Sequence, residues 1–219
     1  MSAAPILEAV RIPKWVKSLN SFCHWVCTSE FPQSWQIAYL NGEIWIDMSP
    51  ERILSHNQVK TPITAALYTL VQESGLGRFL GDRVLLRNSR ANLSTEPDGI
   101  FVSTAARKSK RVRIVKDSSG MDVLRGAPDM VLEVLSESSR KKDLIDLRER
   151  YWTAGIQEYW IVDALSETLH FDILRRGPKG YKAAIKREGW VKSAVFGKEF
   201  RLTSKLDELE EPVYTLESR

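Results

Sequence analysis

The chain of 219 residues is 43% hydrophobic and 27% charged with a formal net charge of +4, the make-up of a globular protein long enough for one substantial core. No apolar run approaches the ~18 residues needed to span a bilayer and the N-terminus lacks a secretory pattern, so no membrane partner is expected and cytoplasmic residence is. A mild basic excess does not by itself point to nucleic acid; the places where basic residues gather matter more.

Residues 1–17 read as a loosely held tail, and 18–219 as a single domain without internal repeats or low-complexity segments. From Ser18, a natural N-cap, Leu19, Phe22, Cys23 and Val26 recur at helical spacing through residue 28. Cys23 and Cys27, four apart on that helix, are poorly set for a disulfide and lack histidine company for zinc, so they read as packing residues. Asn41-Gly42 between residues 35–40 and 43–48 is a hairpin signal, because both central positions of a type I′ turn need positive φ. Ser49-Pro50 ends that hairpin. A helix is expected over 55–73 with Val59, Ile63, Ala66, Leu67, Leu70 and Val71 inward, Pro62 kinking or delaying it, and Gly75 and Gly77 closing it. Residues 79–87 and 98–103 read as strands.

Between two acid-bearing strands lies a basic stretch, Arg107, Lys108, Lys110, Arg111 and Arg113, readable as a phosphate contact or as a solvated loop. Residues 130–135 then form a buried-strand pattern interrupted by Glu133, a carboxylate that needs a partner such as a bound cation or an arginine. A polar turn leads to a helix with Leu144, Leu147, Tyr151 and Ala154 on one face, Gly155 as its left-handed cap, and an apolar strand at 158–163. That succession suggests a crossover between neighbouring strands. The remainder reads as a β-meander (168–174, 181–186, 199–202), with a second basic turn at Arg175, Arg176, Lys179 and Lys182. Seven tryptophans are scattered without the spacing of a base-stacking ladder.

PDG at 97–99, PDMVLEVLS at 128–136, Tyr151, AGI at 154–156 and EYWIVD at 158–163 occur in order, with NGEIWIDMSPE at 41–51 and His56-Asn57 upstream. Together they resemble the Uma2 family, assigned to the PD-(D/E)XK restriction-endonuclease-like nucleases. The resemblance implies a mixed α/β fold: a restriction-endonuclease-like core, a mixed sheet flanked by helices, an N-terminal hairpin and a C-terminal meander. It implies a metal-dependent DNA endonuclease using Mg²⁺ or Mn²⁺. Asp98 and Glu133 match the motif's acidic positions and would hold the metal, with the Val134 carbonyl as a further oxygen ligand, while Glu43 and His56 match supporting positions. Such a metal suits phosphodiester hydrolysis, which needs an activated water and neutralisation of charge building on phosphate oxygens.

One departure stands out. Leu135 occupies the place of the superfamily's motif lysine, and Leu147 the place, four beyond Asp143, where many family members carry a lysine on the following helix. Lys141, Lys142 and Arg148 are the nearest substitutes, and Lys142 is the first choice, since cations at a helix start oppose its dipole unless something negative answers them. The alternative reading is a catalytically silent nuclease fold that binds DNA or a protein partner. A homodimer would suit the cutting of two strands, and no residue pattern demands it.

Overall fold

The computed structural model describes residues 11–32, 35–47, 51–166 and 168–219. Helix α1 (Leu19–Val26) starts where expected, with Ser18 and Ser21 closing a reciprocal capping box. The hairpin β1 (Gln36–Leu40) and β2 (Glu43–Asp47) turns through Asn41 and Gly42, both at positive φ. Met48, Ser49 and Pro50, expected to finish it, lie outside the described residues, as do residues 1–10 of the expected tail. Within the rest of that tail, Val16 is buried against α1.

Helix α2 (Gln58–Ser74) grows out of a π-helical turn, Ile53–Asn57, and ends at Gly75 in the left-handed region. Pro62 is accommodated within it, one turn beyond that widened segment. The expected strand over 79–87 is corrected to two, β3 (Gly77–Leu80) and β4 (Leu86–Asn88), in different sheets. The break is local chemistry: Asp82 accepts the Arg83 N–H, and Arg83 takes a positive φ that a continuing strand could not. Next come β5 (Leu93–Thr95), β6 (Gly99–Ser103), α3 (Thr104–Lys108), β7 (Val112–Lys116), β8 (Asp122–Gly126) and β9 (Met130–Val134). A second π-turn, Lys142–Leu147, opens α4 (Arg148–Ala154), capped by Gly155. After β10 (Glu158–Asp163), the meander comprises β11 (His170–Gly177), β12 (Gly180–Ala183), β13 (Lys186–Arg187), β14 (Trp190–Lys192), β15 (Glu199–Leu206) and β16 (Pro212–Ser218).

Among the described residues these strands form three sheets. The outer sheet runs β2-β1-β5-β4-β8-β7, and the central sheet runs β12-β11-β10-β9-β6-β3. Both are mixed, since β4 lies parallel to β8 and β9 parallel to β10. The C-terminal sheet, β13-β14-β15-β16, is antiparallel. Alternation along each strand sends side chains to opposite faces and so builds three apolar layers. Phe22 and Trp25 of α1 cover the outer sheet. Leu86, Val131, Tyr151 and Tyr159 fill the space between the outer and central sheets together with α4. Ile63 of α2 and Phe200 of the C-terminal sheet pack with Met130 and Trp160 on the other face of the central sheet. No helix among the described residues is long and apolar enough to cross a membrane.

The β6–β9 pairing positions the candidate acids, and Gly99 lets these strands pack closely. A Cβ added there would meet Phe79 at 2.8 Å and the Leu132 side chain at 3.3 Å. Gly99→Ala is therefore expected to cost about 1–3 kcal/mol by overpacking, read as a lower denaturation midpoint; an unchanged midpoint would mean that the neighbours yield freely.

Candidate active site

β6 and β9 are antiparallel, with Gly99 opposite Leu132 and Ile100 opposite Val131. Extending the register by one residue sets Asp98 opposite Glu133, on the same face of the sheet, at the C-terminal end of β9. Both are buried. The Val134 N–H donates to Asp98 Oδ2 at 2.7 Å, fixing this carboxylate against the neighbouring strand. Val134 thus meets the site through its N–H in the contact the structure shows. Tyr151, reaching from α4, donates its hydroxyl to Glu133 Oε1 at 2.5 Å.

Two lysines enter this acidic cluster from different helices. Lys60 of α2 lies 2.7 Å from Glu51 Oε1, 2.7 Å from Asp82 Oδ2 and 3.5 Å from Asp98 Oδ1. Burial disfavours its charge, yet Asp98, Asp82 and Glu51 outweigh that cost and raise its pKa. Lys142, at the start of the second π-turn, stands 3.6 Å from Asp143 Oδ1. Burial again opposes its charge, and Asp143, Glu133 and Asp98 override it. The other substitutes turn elsewhere: Lys141 lies over the Trp45 ring, and Arg148 donates to the Tyr181 carbonyl. Leu147 is fully buried in the core.

His56 approaches Asp98 Oδ2 at 3.7 Å through Nε2 and Glu51 Oε2 at 3.3 Å through Nδ1. Glu43 does not join the site. It is exposed at the turn end of β2, whereas the opposite end of that strand carries Asp47, which accepts from the Ser138 hydroxyl and acts on Lys142. Asp47 and Lys142 line a small groove with Glu96 between β1, β2 and the turn at 138–139.

Both basic stretches lie away from the acids: 175–182 at the other end of the central sheet, roughly 15 Å along its strands, and 107–113 running from α3 into β7 of the outer sheet. Arg111 pairs with Asp129 just before β9, and Arg175 stands opposite Glu158 at the start of β10. Several of these cations already have structural duties. Arg175 donates to the Lys192 carbonyl, and Arg176 donates to the Trp152 carbonyl and covers the Trp152 ring. Arg107, Lys108, Lys110, Arg113, Lys179 and Lys182 are exposed.

Lys60, Glu51, Asp82, Asp143 and Tyr151 complete the constellation around Asp98 and Glu133. Lys60 had a legible signal, standing four residues after His56 on the same helical face. Tyr151 was visible as one member of an apolar stripe and of the family's ordered motifs, and its hydroxyl carries the polar role.

Burial and mutual repulsion govern the acids on one side of Asp98. Burial first, then Asp143 and Asp98, push Glu133 well above the usual carboxylate range, against Lys142 and the Tyr151 hydroxyl. Burial lifts Asp143 to about 6 despite Lys142, and it raises Asp98 despite His56 and Lys60. Asp143 Oδ1 is buried without a hydrogen-bond partner among the described residues. Glu133 and Asp143 share the Lys142 ammonium while Asp98 also meets Lys60 and His56, so buried hard-oxygen donors of the kind divalent cations favour converge here. Glu51, His56 and Asp98 also bring one ligand atom each within 4.8 Å of one another. Lys60 stands beside that group, 2.7 Å from Glu51 and 3.5 Å from Asp98.

Residues 20–204 match the Uma2 family, described as "Putative restriction endonuclease". The chain belongs to the Uma2 family. Among solved structures it is similar to a protein from Anabaena variabilis ATCC 29413, titled a "putative nuclease belonging to DUF820", at 17% identity and a TM-score of 0.60. That match covers 82% of this chain and 90% of the other, and at such identity it speaks for the fold. No match is found among the curated proteins compared. The Uma2 fold expected from the motifs, mixed α/β with mixed sheets and flanking helices, is the one observed.

Two measurements follow from these charges. Lys60→Met leaves three carboxylates without their shared ammonium and is expected to destabilise the fold by about 3–5 kcal/mol, measured by urea denaturation; a loss under 1 kcal/mol would make Lys60 electrostatically idle. Carboxylates whose pKa is raised by folding bind protons more tightly folded than unfolded. With metal chelated, stability should therefore fall as pH rises from about 4, the ordinary carboxylate range, through about 6. Glu133→Gln, which keeps an acceptor for Tyr151 and removes the charge, should flatten that fall and raise Tm at neutral pH; a wild-type Tm climbing through the window would contradict the assignment.

Proposed function

We propose that this Uma2 protein is a metal-dependent DNA endonuclease that hydrolyses phosphodiester bonds beside Asp98 and Glu133. The observation that supports this reading is the convergence of three buried carboxylates, Asp98, Glu133 and Asp143, at the end of β9, in a chain of a family described as "Putative restriction endonuclease". Asp98 and Glu133 would hold Mg²⁺ or Mn²⁺, with the Val134 carbonyl and Asp143 as further oxygen donors. When bound, such an ion activates water and neutralises phosphate oxygens. The Val134 N–H, His56 and Lys60 orient Asp98, and Tyr151 orients Glu133. Lys142 takes the part of the missing motif lysine, offering an ammonium to charge that develops on the phosphate.

The test is cleavage of supercoiled, linear and single-stranded DNA by the purified protein with Mg²⁺ or Mn²⁺. Cutting is expected to depend on the ion. Glu133→Gln should fold but lose most divalent binding and cleavage, and Lys142→Ala should keep metal affinity while cutting ~10²- to 10⁴-fold more slowly. A drop confined to DNA affinity would make Lys142 a phosphate anchor. A wild type that binds no divalent ion and cuts no DNA form would instead be a silent binding module, the reading favoured by Leu135 at the motif lysine position.

A further inference from the structure

The outer sheet carries a second charged arrangement on the face turned away from the acidic site. Leu86 and Leu124 point into the core between the sheets. Their neighbours Arg87 and Arg125 therefore point the other way, with Leu85 and Val123 toward α1. Arg87 stands opposite Arg125 in the β4–β8 pairing, and Arg125 stands opposite Arg113 in the β8–β7 pairing. Three arginines thus lie side by side across three neighbouring strands. Like charges directly opposite one another repel, and a fold bears such a row most easily when something negative rests on it.

Among the described residues the protein answers this row with one buried ion pair, and a loose one. Asp117 Oδ2 is 3.7 Å from Arg87 Nη1, beyond hydrogen-bond reach. That carboxylate is already shared among the Cys27 thiol, the Ser119 hydroxyl and N–H, and the Met121 N–H. The Arg87 side chain is only 5% exposed, and its Nε and Nη2 have no hydrogen-bond partner among the described residues. A buried guanidinium with empty donors is costly. It faces a cavity of about 600 Å³ that Arg113, Arg125, Lys110 and His24 also line.

We infer that this cavity between α1 and the outer sheet is a phosphate-binding site, in which Arg87, Arg125 and Arg113 grip a phosphate-bearing ligand. Guanidinium forks match phosphate oxygens in pairs, and three of them spaced over two strand separations span roughly 10 Å. That length suits a polyphosphate or consecutive backbone phosphates better than a single carboxylate. Part of the basic stretch 107–113, distant from the acids, acquires a role here. The inference does not rest on the nuclease reading.

The test is calorimetric titration of the full chain in EDTA with pyrophosphate and, separately, with a short oligothymidylate. Pyrophosphate is expected to bind and to raise Tm. Arg125→Gln and Arg113→Gln, both at exposed positions, should each weaken binding about tenfold or more, the worth of a charge-assisted contact. Without ligand they should melt no lower than the wild type, because each relieves repulsion. Removing equal charge at Lys179 and Lys182 should leave pyrophosphate binding unchanged. Oligothymidylate binding that needs Arg125 while pyrophosphate fails would assign the site to nucleic-acid backbone. Binding of neither ligand, or binding indifferent to Arg113 and Arg125, would overturn the inference.

Discussion

The 2.7 Å hydrogen bond from the Val134 N–H to Asp98 joins the fold to the candidate chemistry. It ties the first residue before β6 to the last residue of β9, so both carboxylates depend on one antiparallel pairing. In water, two adjacent carboxylates would separate or recruit counterions. Here the pairing forbids separation and the surrounding core excludes solvent, so the repulsion must be met by fixed groups. The central sheet's hydrogen bonds thus sustain an arrangement that its side chains alone would disperse.

The counter-charges come from the two helices that flank the central sheet. Lys60 arrives from α2 on one side and Lys142 from the segment opening α4 on the other. They are not equivalent. Lys60 is surrounded by three carboxylates within 3.5 Å, a structural cation in a closed cage. Lys142 faces more negative charge than it can neutralise, and it lines the groove that opens toward solvent. An ammonium that is only partly committed can transfer its attention to an arriving phosphate; a caged one cannot without breaking its cage.

The candidate acids were legible because an isolated Glu in an apolar strand and an Asp after proline are chemically conspicuous. Lys142 was legible for a related reason, as a cation at a helix start that needs an anion. The hairpin and the crossover followed from turn chemistry and apolar periodicity. Other parts were hidden by what a linear pattern omits. Short strands such as β5, three residues long, carry too little periodicity to register. β7 is an edge strand whose charged residues discourage further pairing, and those same charges made it resemble a solvated loop. The register that aligns Arg87, Arg125 and Arg113 joins residues far apart in the chain, and no local spacing encodes it. Tyr151 packs like an apolar residue and differs from one only at its hydroxyl.

The two π-turns make backbone length, and not only side-chain identity, a determinant of this site. Each sits directly before a helix, the first carrying His56 and the second beginning with Lys142. A π-turn holds a residue more than an α-turn would need, and successive α-helical residues are about 100° apart around the axis. Removing one residue from either turn would let the helix remain in its apolar bed while everything upstream swings around it. His56 would leave Asp98, or Lys142 would leave Glu133, with every buried hydrophobic contact of the helix intact. Divergent chains sharing this fold should therefore tolerate changes of residue type in these turns more readily than changes in their length.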